Sequence, residues 1–234
     1  MVYPGRFIVL GADQTGDWDV VVYGITGRSP SSKARKLELV GDYILTRPTD
    51  PEVLKTGNPD LLVYPALILG EAIVVSNGKQ TTDIAARADA GPVRVLAGGL
   101  AAWNFEPDAP IFTPRISGCV LPGGRAGLSV LKRQPDGSTL RLYAELPLAA
   151  GRGKLVSTYA GENANPLPSF AGEPVDVGLA EVTAVATAEA FYSALRPEGR
   201  PEDYRVAVAC VFALRSDLRR RDVAIINRHE RTPA

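Results

Sequence analysis

Four short segments of the chain concentrate polar side chains beyond what a folded core or a plain surface requires. The first is Gly27-Arg28-Ser29-Pro30-Ser31-Ser32-Lys33-Ala34-Arg35-Lys36, where four cations and three hydroxyls fall within ten residues. Guanidinium, ammonium and hydroxyl groups all donate hydrogen bonds, so this set suits an anion or phosphate cradle, and it equally suits a solvated basic turn. The second is Ser76-Asn77-Gly78-Lys79-Gln80-Thr81-Thr82-Asp83. A helix starting there would point backbone N–H groups at a phosphate or a developing oxyanion, or would simply be capped. The third, Phe105-Glu106-Pro107-Asp108-Ala109-Pro110-Ile111-Phe112-Thr113-Pro114-Arg115-Ile116, holds two carboxylates, a threonine and an arginine in a loop stiffened by prolines. Such a loop positions a site or turns a corner. The fourth joins Thr158-Tyr159 to Asn165-Pro166-Leu167-Pro168-Ser169-Phe170-Ala171-Gly172-Glu173-Pro174, and a packed surface loop accounts for it as well. Tyr64 stands apart in an apolar run beside Pro65; a buried tyrosine of this kind is ordinarily a core residue whose hydroxyl finds one partner.

Familiar chemistries fail on inventory. The sequence contains no G-x-G-x-x-G, G-x-x-x-x-G-K-[ST] or G-x-S-x-G. Its one histidine, His229, lies near the C-terminus, which counts against a Ser–His triad and against a metal cluster. Cys119 and Cys210 sit in apolar runs and read as buried free thiols. No metal and no cofactor is expected. The 26 Lys and Arg balance the 26 Asp and Glu, so there is no net field to gather nucleic acid, and an anionic partner must be held by local cations. The opening residues lack the apolar segment of a signal peptide, and no run nears the ~18 apolar residues of a membrane span. A soluble, cytoplasmic protein without nucleic-acid or membrane partners is the expectation.

The elements that must position these segments begin with strands. Phe7–Leu10 and Asp19–Ile25 are apolar and β-branched, and the turn between them suits a pairing of the two. Leu37, Leu39 and Tyr43–Leu45 suggest a third strand interrupted at Gly41. Leu61–Leu69 is apolar throughout, but Pro65 argues against an ordinary central strand because proline donates nothing to a ladder. Glu71–Ser76 is a better strand, and the pattern then changes to a helix from Thr81 and a second over Val93–Trp103, weakened by Gly98-Gly99. Strands return at Ile116–Val120, Gly127–Lys132, Leu140–Leu146 and Lys154–Tyr159. Residues 161–180 read as a long loop, Thr187–Leu195 as a helix, and Tyr204–Leu214 and Val223–Ile226 as strands. With 45 % hydrophobic and 22 % charged residues the chain has ordinary globular composition. Adjacent-strand hairpins grouped around a few helices indicate an α+β fold on antiparallel sheets.

Taken in order, the segments resemble the archaeal-type inosine monophosphate (IMP) cyclohydrolase family and its bacterial relatives. The resemblance rests on Tyr3–Arg6, Gly27-Arg28-Ser29 with Ser32, Val75-Ser76-Asn77-Gly78 with Gln80-Thr81, Phe105–Pro110 leading into Thr113-Pro114-Arg115-Ile116, Thr158-Tyr159, and Asn165–Pro174, and spans about residues 3–175. Archaeal members carry Ser-Arg-Ser-Phe-Pro-Asn-Arg where this chain has Gly27–Lys33, and Tyr-Asn-Cys where it has Tyr64-Pro65-Ala66. The resemblance implies one domain over 1–234 and a four-layered αββα sandwich like that of the N-terminal-nucleophile hydrolases. It does not imply their mechanism, since Val2 follows Met1. The implied activity is closure of 5-formamidoimidazole-4-carboxamide ribotide to IMP with loss of water. Tyr64, Glu106 and Arg28 are then the expected catalytic residues. Ser29, Lys33, Asn77, Gly78, Thr82, Asp108 and Arg115 are expected to bind a purine ribonucleotide, in a protein that can form a homo-oligomer. The alternative is a paralogue that binds or senses a purine nucleotide without turning it over.

Overall fold

The computed structural model describes residues 3–50, 52, 63–89, 91–162, 164–196, 199 and 202–231. Two antiparallel sheets dominate it. The strands are β1 (Arg6–Ala12), β2 (Trp18–Thr26), β3 (Arg35–Val40), β4 (Tyr43–Pro48), β5 (Tyr64–Leu69), β6 (Ile73–Ser76) and β7 (Arg115–Leu121), then β8 (Arg125–Arg133), β9 (Thr139–Pro147), β10 (Arg152–Ser157), β11 (Val175–Gly178), β12 (Arg205–Leu214) and β13 (Asp217–Asn227). The helices are α1 (Pro30–Lys33), α2 (Gln80–Ala85), α3 (Pro92–Gly99) and α4 (Ala184–Ala194). The first sheet has the order β11-β10-β1-β2-β12-β13, and the second runs β3 to β9 in chain order.

Strand alternation decides which side chains meet. Along β1 and β2, Ile8, Leu10, Val21, Tyr23 and Ile25 join a core cluster that also takes Leu37, Ile44, Tyr64 and Val75 from the second sheet. Their neighbours Phe7, Val9, Val20 and Val22 face the other way, against Ala184, Ala188 and Tyr192 of α4. Successive side chains point to opposite faces, so both faces of this sheet are apolar and both are covered. On the second sheet, Val74, Cys119 and Leu131 pack with Ile84 of α2 and Val95 and Leu96 of α3. Cys119 and Cys210 are both buried and free, as the apolar runs around them predict.

Several expectations shift. The interrupted third strand is two strands, β3 and β4, joined by a turn at Gly41, whose φ of +58° suits glycine. Tyr64–Leu69 is a strand inside the second sheet despite Pro65. The proline is accommodated because β6 pairs only with Leu67–Leu69, and because the β4 register shifts between Ile44 and Leu45, the residue opposite Pro65. The earlier part of that apolar run, residues 61 and 62, lies outside the described residues. The loop read over 161–180 contains the edge strand β11, and the last strand is longer than Val223–Ile226. Helix α3 ends at Gly99 rather than reaching Trp103.

The C-terminal strand also ties the two sheets together. Asn227 at the end of β13 accepts a hydrogen bond from the Leu37 amide at 2.8 Å and donates to the Leu37 carbonyl at 2.9 Å. Strand β3 is an edge of its sheet, so one buried amide satisfies backbone groups that no neighbouring strand reaches.

Candidate active site

The ends of β1, β3 and the loop before β7 converge on a cleft of about 260 Å³, with Arg6, Arg28, Arg35, Glu106, Asp108 and Tyr159 on its walls. Arg6 opens β1, and its Nε is buried without a hydrogen-bond partner. Burial works to lower its pKa, but the oxygens of Tyr64, Glu106, Tyr23 and Tyr159 outweigh that and raise it. Arg35 opens β3 and is 2 % exposed. Its Nε donates to the Ser32 carbonyl at 2.9 Å, while Nη1 and Nη2 are buried with no partner. Burial, reinforced by the charge of Arg6, brings the Arg35 pKa down to about 10. Arg28 lies 5.7 Å from the Tyr3 ring centroid and donates to the Ala164 carbonyl.

Glu106 supplies the opposing charge. Its backbone amide donates to the Thr113 carbonyl at 2.8 Å, which closes the proline-rich loop and turns the side chain inward. The carboxylate is 2 % exposed, accepts from Asn77 Nδ2 at 3.2 Å and lies 3.8 Å from Arg115 Nη1. Burial raises its pKa, against the pull of Arg6 and Arg115. Asn77 is the hub behind it: Nδ2 also donates to the Pro114 carbonyl, and Oδ1 accepts from the Ile116 amide and from Gln80 Nε2. Arg115 donates to Gln80 Oε1 and the Asn104 carbonyl, with its guanidinium 4.7 Å from the Trp103 ring centroid. Gly78 leaves this space open, because a Cβ there would lie 2.6 Å from Arg115 Nη1.

A second polar chain borders the same cleft. Asp108 accepts from the Thr113 amide and hydroxyl, and the Thr113 hydroxyl in turn meets Tyr159 Oη at 2.8 Å. With its own proton given to Asp108, Thr113 accepts from the tyrosine, whose pKa burial raises to about 12 against the charge of Arg6. Deeper still, the hydroxyls of Tyr64 and Tyr23 share a hydrogen bond of 2.9 Å. Burial, then the neighbouring Tyr64, hold the Tyr23 phenol well above its ordinary pKa.

Of the residues picked out from sequence, Arg28, Ser29, Glu106 and Asp108 line this cleft. Asn77, Gly78 and Arg115 form the layer that holds Glu106. Tyr64 is buried beside the Arg6 charge and is not on the cleft wall. Two residues fall elsewhere. Thr82 is exposed on α2, because the buried face of that short helix is taken by Gln80, Thr81 and Ile84. Lys33, the last residue of α1, lines a different cleft and sits 5.5 Å from the Tyr204 ring centroid. The sequence gives no separate site role to Arg6, Tyr23 or Tyr159, and Arg35 figures there only among the four cations of the 27–36 segment. Period-two alternation carries a signal for two of them: Arg35 shares its face with Leu37, and Tyr23 shares its face with Val21 and Ile25.

The family model described as IMP cyclohydrolase-like protein matches residues 3–213, and the chain belongs to that family. An IMP cyclohydrolase of Methanopyrus kandleri is 35 % identical over 118 residues, covering 50 % of this chain and 57 % of that protein. The IMP cyclohydrolase of Methanocaldococcus jannaschii is 33 % identical over 118 residues, covering 50 % of this chain and 55 % of its own. The aligned stretch thus spans a little over half the length of these curated relatives. The family match runs past residue 175, where the sequence resemblance stops, and takes in nearly all of β12. No described helix is long and apolar enough to cross a membrane.

Proposed function

We propose that this chain closes 5-formamidoimidazole-4-carboxamide ribotide to IMP, as a single four-layered αββα domain acting on a purine ribonucleotide. The observation that carries the reading is Glu106, a buried carboxylate on the wall of a cation-lined cleft in a chain of this family. The reaction needs no covalent intermediate. The carboxamide nitrogen forms a bond to the formyl carbon of the same molecule, then the bond from that carbon to its oxygen breaks. One proton from the carboxamide nitrogen and one from the formamide nitrogen leave with that oxygen as water. The protein has to fold the two groups together, steady charge on the oxygens and carry the two protons.

Arg28 and Ser29, at the mouth, hold the phosphate or a carbonyl oxygen. Arg6 and Arg115 flank the carboxylate that exchanges protons. A carboxyl raised by burial works closer to neutral pH, where it both accepts and returns a proton. Tyr64 acts from behind the wall, through its hydrogen bond to Tyr23 and the charge of Arg6 that both phenols share. Asp108 orients Tyr159 through Thr113. The test is to incubate the purified protein with the formylated ribotide and follow IMP by absorbance. Turnover above the uncatalysed rate supports the proposal. Background turnover with IMP still bound assigns the chain to the sensing alternative.

A further inference from the structure

A larger cleft, about 830 Å³, opens on the other side of Arg35. Its walls come from α1, the end of α4, the start of β12 and the 3-10 turn that follows β13. Two of its cations are already neutralised. Arg205 is held by Asp203 with contacts of 2.7–3.1 Å, and Arg231 pairs with Glu189. Both guanidiniums also pack on the ring of Tyr192, 4.5 and 4.7 Å from its centroid, which fixes them as a floor. Four further cations line the cleft: Lys33, Arg35, Arg196 and Arg228. Among the described residues none of these four takes part in an ion pair. Arg228 donates to the Asp203 carbonyl at 2.9 Å, which aims it without neutralising it.

An exposed cation alone is a solvated surface group, but Arg35 is not exposed. It is 2 % accessible, lines both clefts, and keeps two guanidinium nitrogens buried and unpaired. A buried charged donor left without a partner costs free energy that a bound anion returns. In a chain whose net charge is zero, this concentration of positive charge in one concavity is a local focus for an anion. A terminal phosphate carries about −2 at neutral pH, so one monophosphate leaves half of the four cations uncompensated. Arg228, His229 and Arg231 also lie beyond residue 213, where the family match ends.

We propose that the second cleft binds a polyphosphate chain, free or carried by a nucleoside, at a site distinct from the ring-closure cleft and touching it at Arg35. The proposal does not depend on the ring-closure reading. Because Arg35 serves both walls, binding in one cleft changes affinity in the other, and the coupling is reciprocal.

The experiment is calorimetric titration of the full chain with inorganic triphosphate, with ATP and with IMP. Wild-type protein is expected to bind inorganic triphosphate. The double variant Arg196→Gln, Arg228→Gln is expected to bind it roughly tenfold more weakly or worse, as loss of charge-assisted contacts implies. Both positions are exposed, so folding is expected to survive, and the two single variants repeat the measurement if the double variant does not fold. Equal affinity for ATP and triphosphate supports recognition of the phosphate chain alone, and tighter ATP binding supports a nucleotide source. The idea is overturned if neither probe binds wild type, or if the variants bind as wild type does. It is also overturned if IMP loses affinity in parallel, because the cleft is then the phosphate end of the first one. Failure to bind IMP with triphosphate binding intact counts against the ring-closure reading alone.

Discussion

Replacing Arg35 by methionine should make the ligand-free protein more stable and a worse anion binder. The charge is taken out of water with only one of its three guanidinium nitrogens hydrogen-bonded. Its pKa falls from 12.5 to about 10, and at about 1.36 kcal/mol per unit the buried charge costs roughly 3 kcal/mol. For a base with a depressed folded pKa, the folded chain binds fewer protons than the unfolded chain between about 10 and 12.5. Stability therefore rises with pH across that window, and at neutral pH the penalty is fully present. Methionine has a similar length and no charge. Losing the bond from Nε to the Ser32 carbonyl costs about 1 kcal/mol, which leaves a net gain of about 2 kcal/mol. For a chain of this size that corresponds to a rise in Tm of roughly 4–8 °C. Scanning calorimetry in phosphate-free buffer measures it, and titration with inorganic triphosphate should show about tenfold weaker binding from the lost donors. A lower Tm for Arg35→Met without anions would refute the reasoning, since it would mean the guanidinium is satisfied in the free protein.

Glu106→Gln keeps an acceptor for Asn77 and removes the group proposed to exchange protons, so turnover should drop by ~10²–10⁴-fold with IMP affinity nearly unchanged; steady-state rates beside calorimetry decide, and equal losses in both would make Glu106 a binding group. The same residue gives a pH signature. Its folded pKa is raised above the ordinary 4.5, so the folded chain holds the proton longer and stability falls as pH rises upward from that value. Urea midpoints across this range should descend in wild type and less in Glu106→Gln; parallel curves contradict the assignment. Asn227→Ala strips partners from the amide and carbonyl of Leu37 and should cost about 2–4 kcal/mol. A urea midpoint at the wild-type value would show that the bridge between β13 and β3 contributes nothing.

What the sequence made legible follows from how local each signal is. The apolar alternation of β1, β2 and β12 is written in contiguous residues, and so is the clustering of Glu106 and Asp108 among prolines. Pro65 misled because its effect depends on where the neighbouring strand stops pairing, a property of β6 and not of the proline. Lys33 and Arg35 are two residues apart in one basic turn, yet one ends α1 and the other opens β3, so only Arg35 turns inward. From sequence, Tyr64 reads as a buried tyrosine in one apolar run and Tyr23 as part of a different strand. Their shared hydrogen bond exists because β2 and β5 belong to different sheets whose apolar faces meet in one core, and no window along the chain contains both.

The site is costly for the same reason that it is usable. Arg6, Arg35 and Arg115 converge near one buried carboxylate, Glu106, so this junction carries more positive than negative charge. A fold built only for stability would fill this junction with aliphatic side chains, since replacing buried ions with well-packed apolar groups is often stabilising. The apolar core shared by the two sheets, the α4 face and the α2–α3 face offset that cost. An anion that enters supplies the missing charge and stabilises the folded state by mass action, by about 2.7 kcal/mol at a hundred times its dissociation constant. Such a ligand would balance the charge of this junction, and Arg35, the cation proposed to meet it in either cleft, is the one left with two buried nitrogens unpaired.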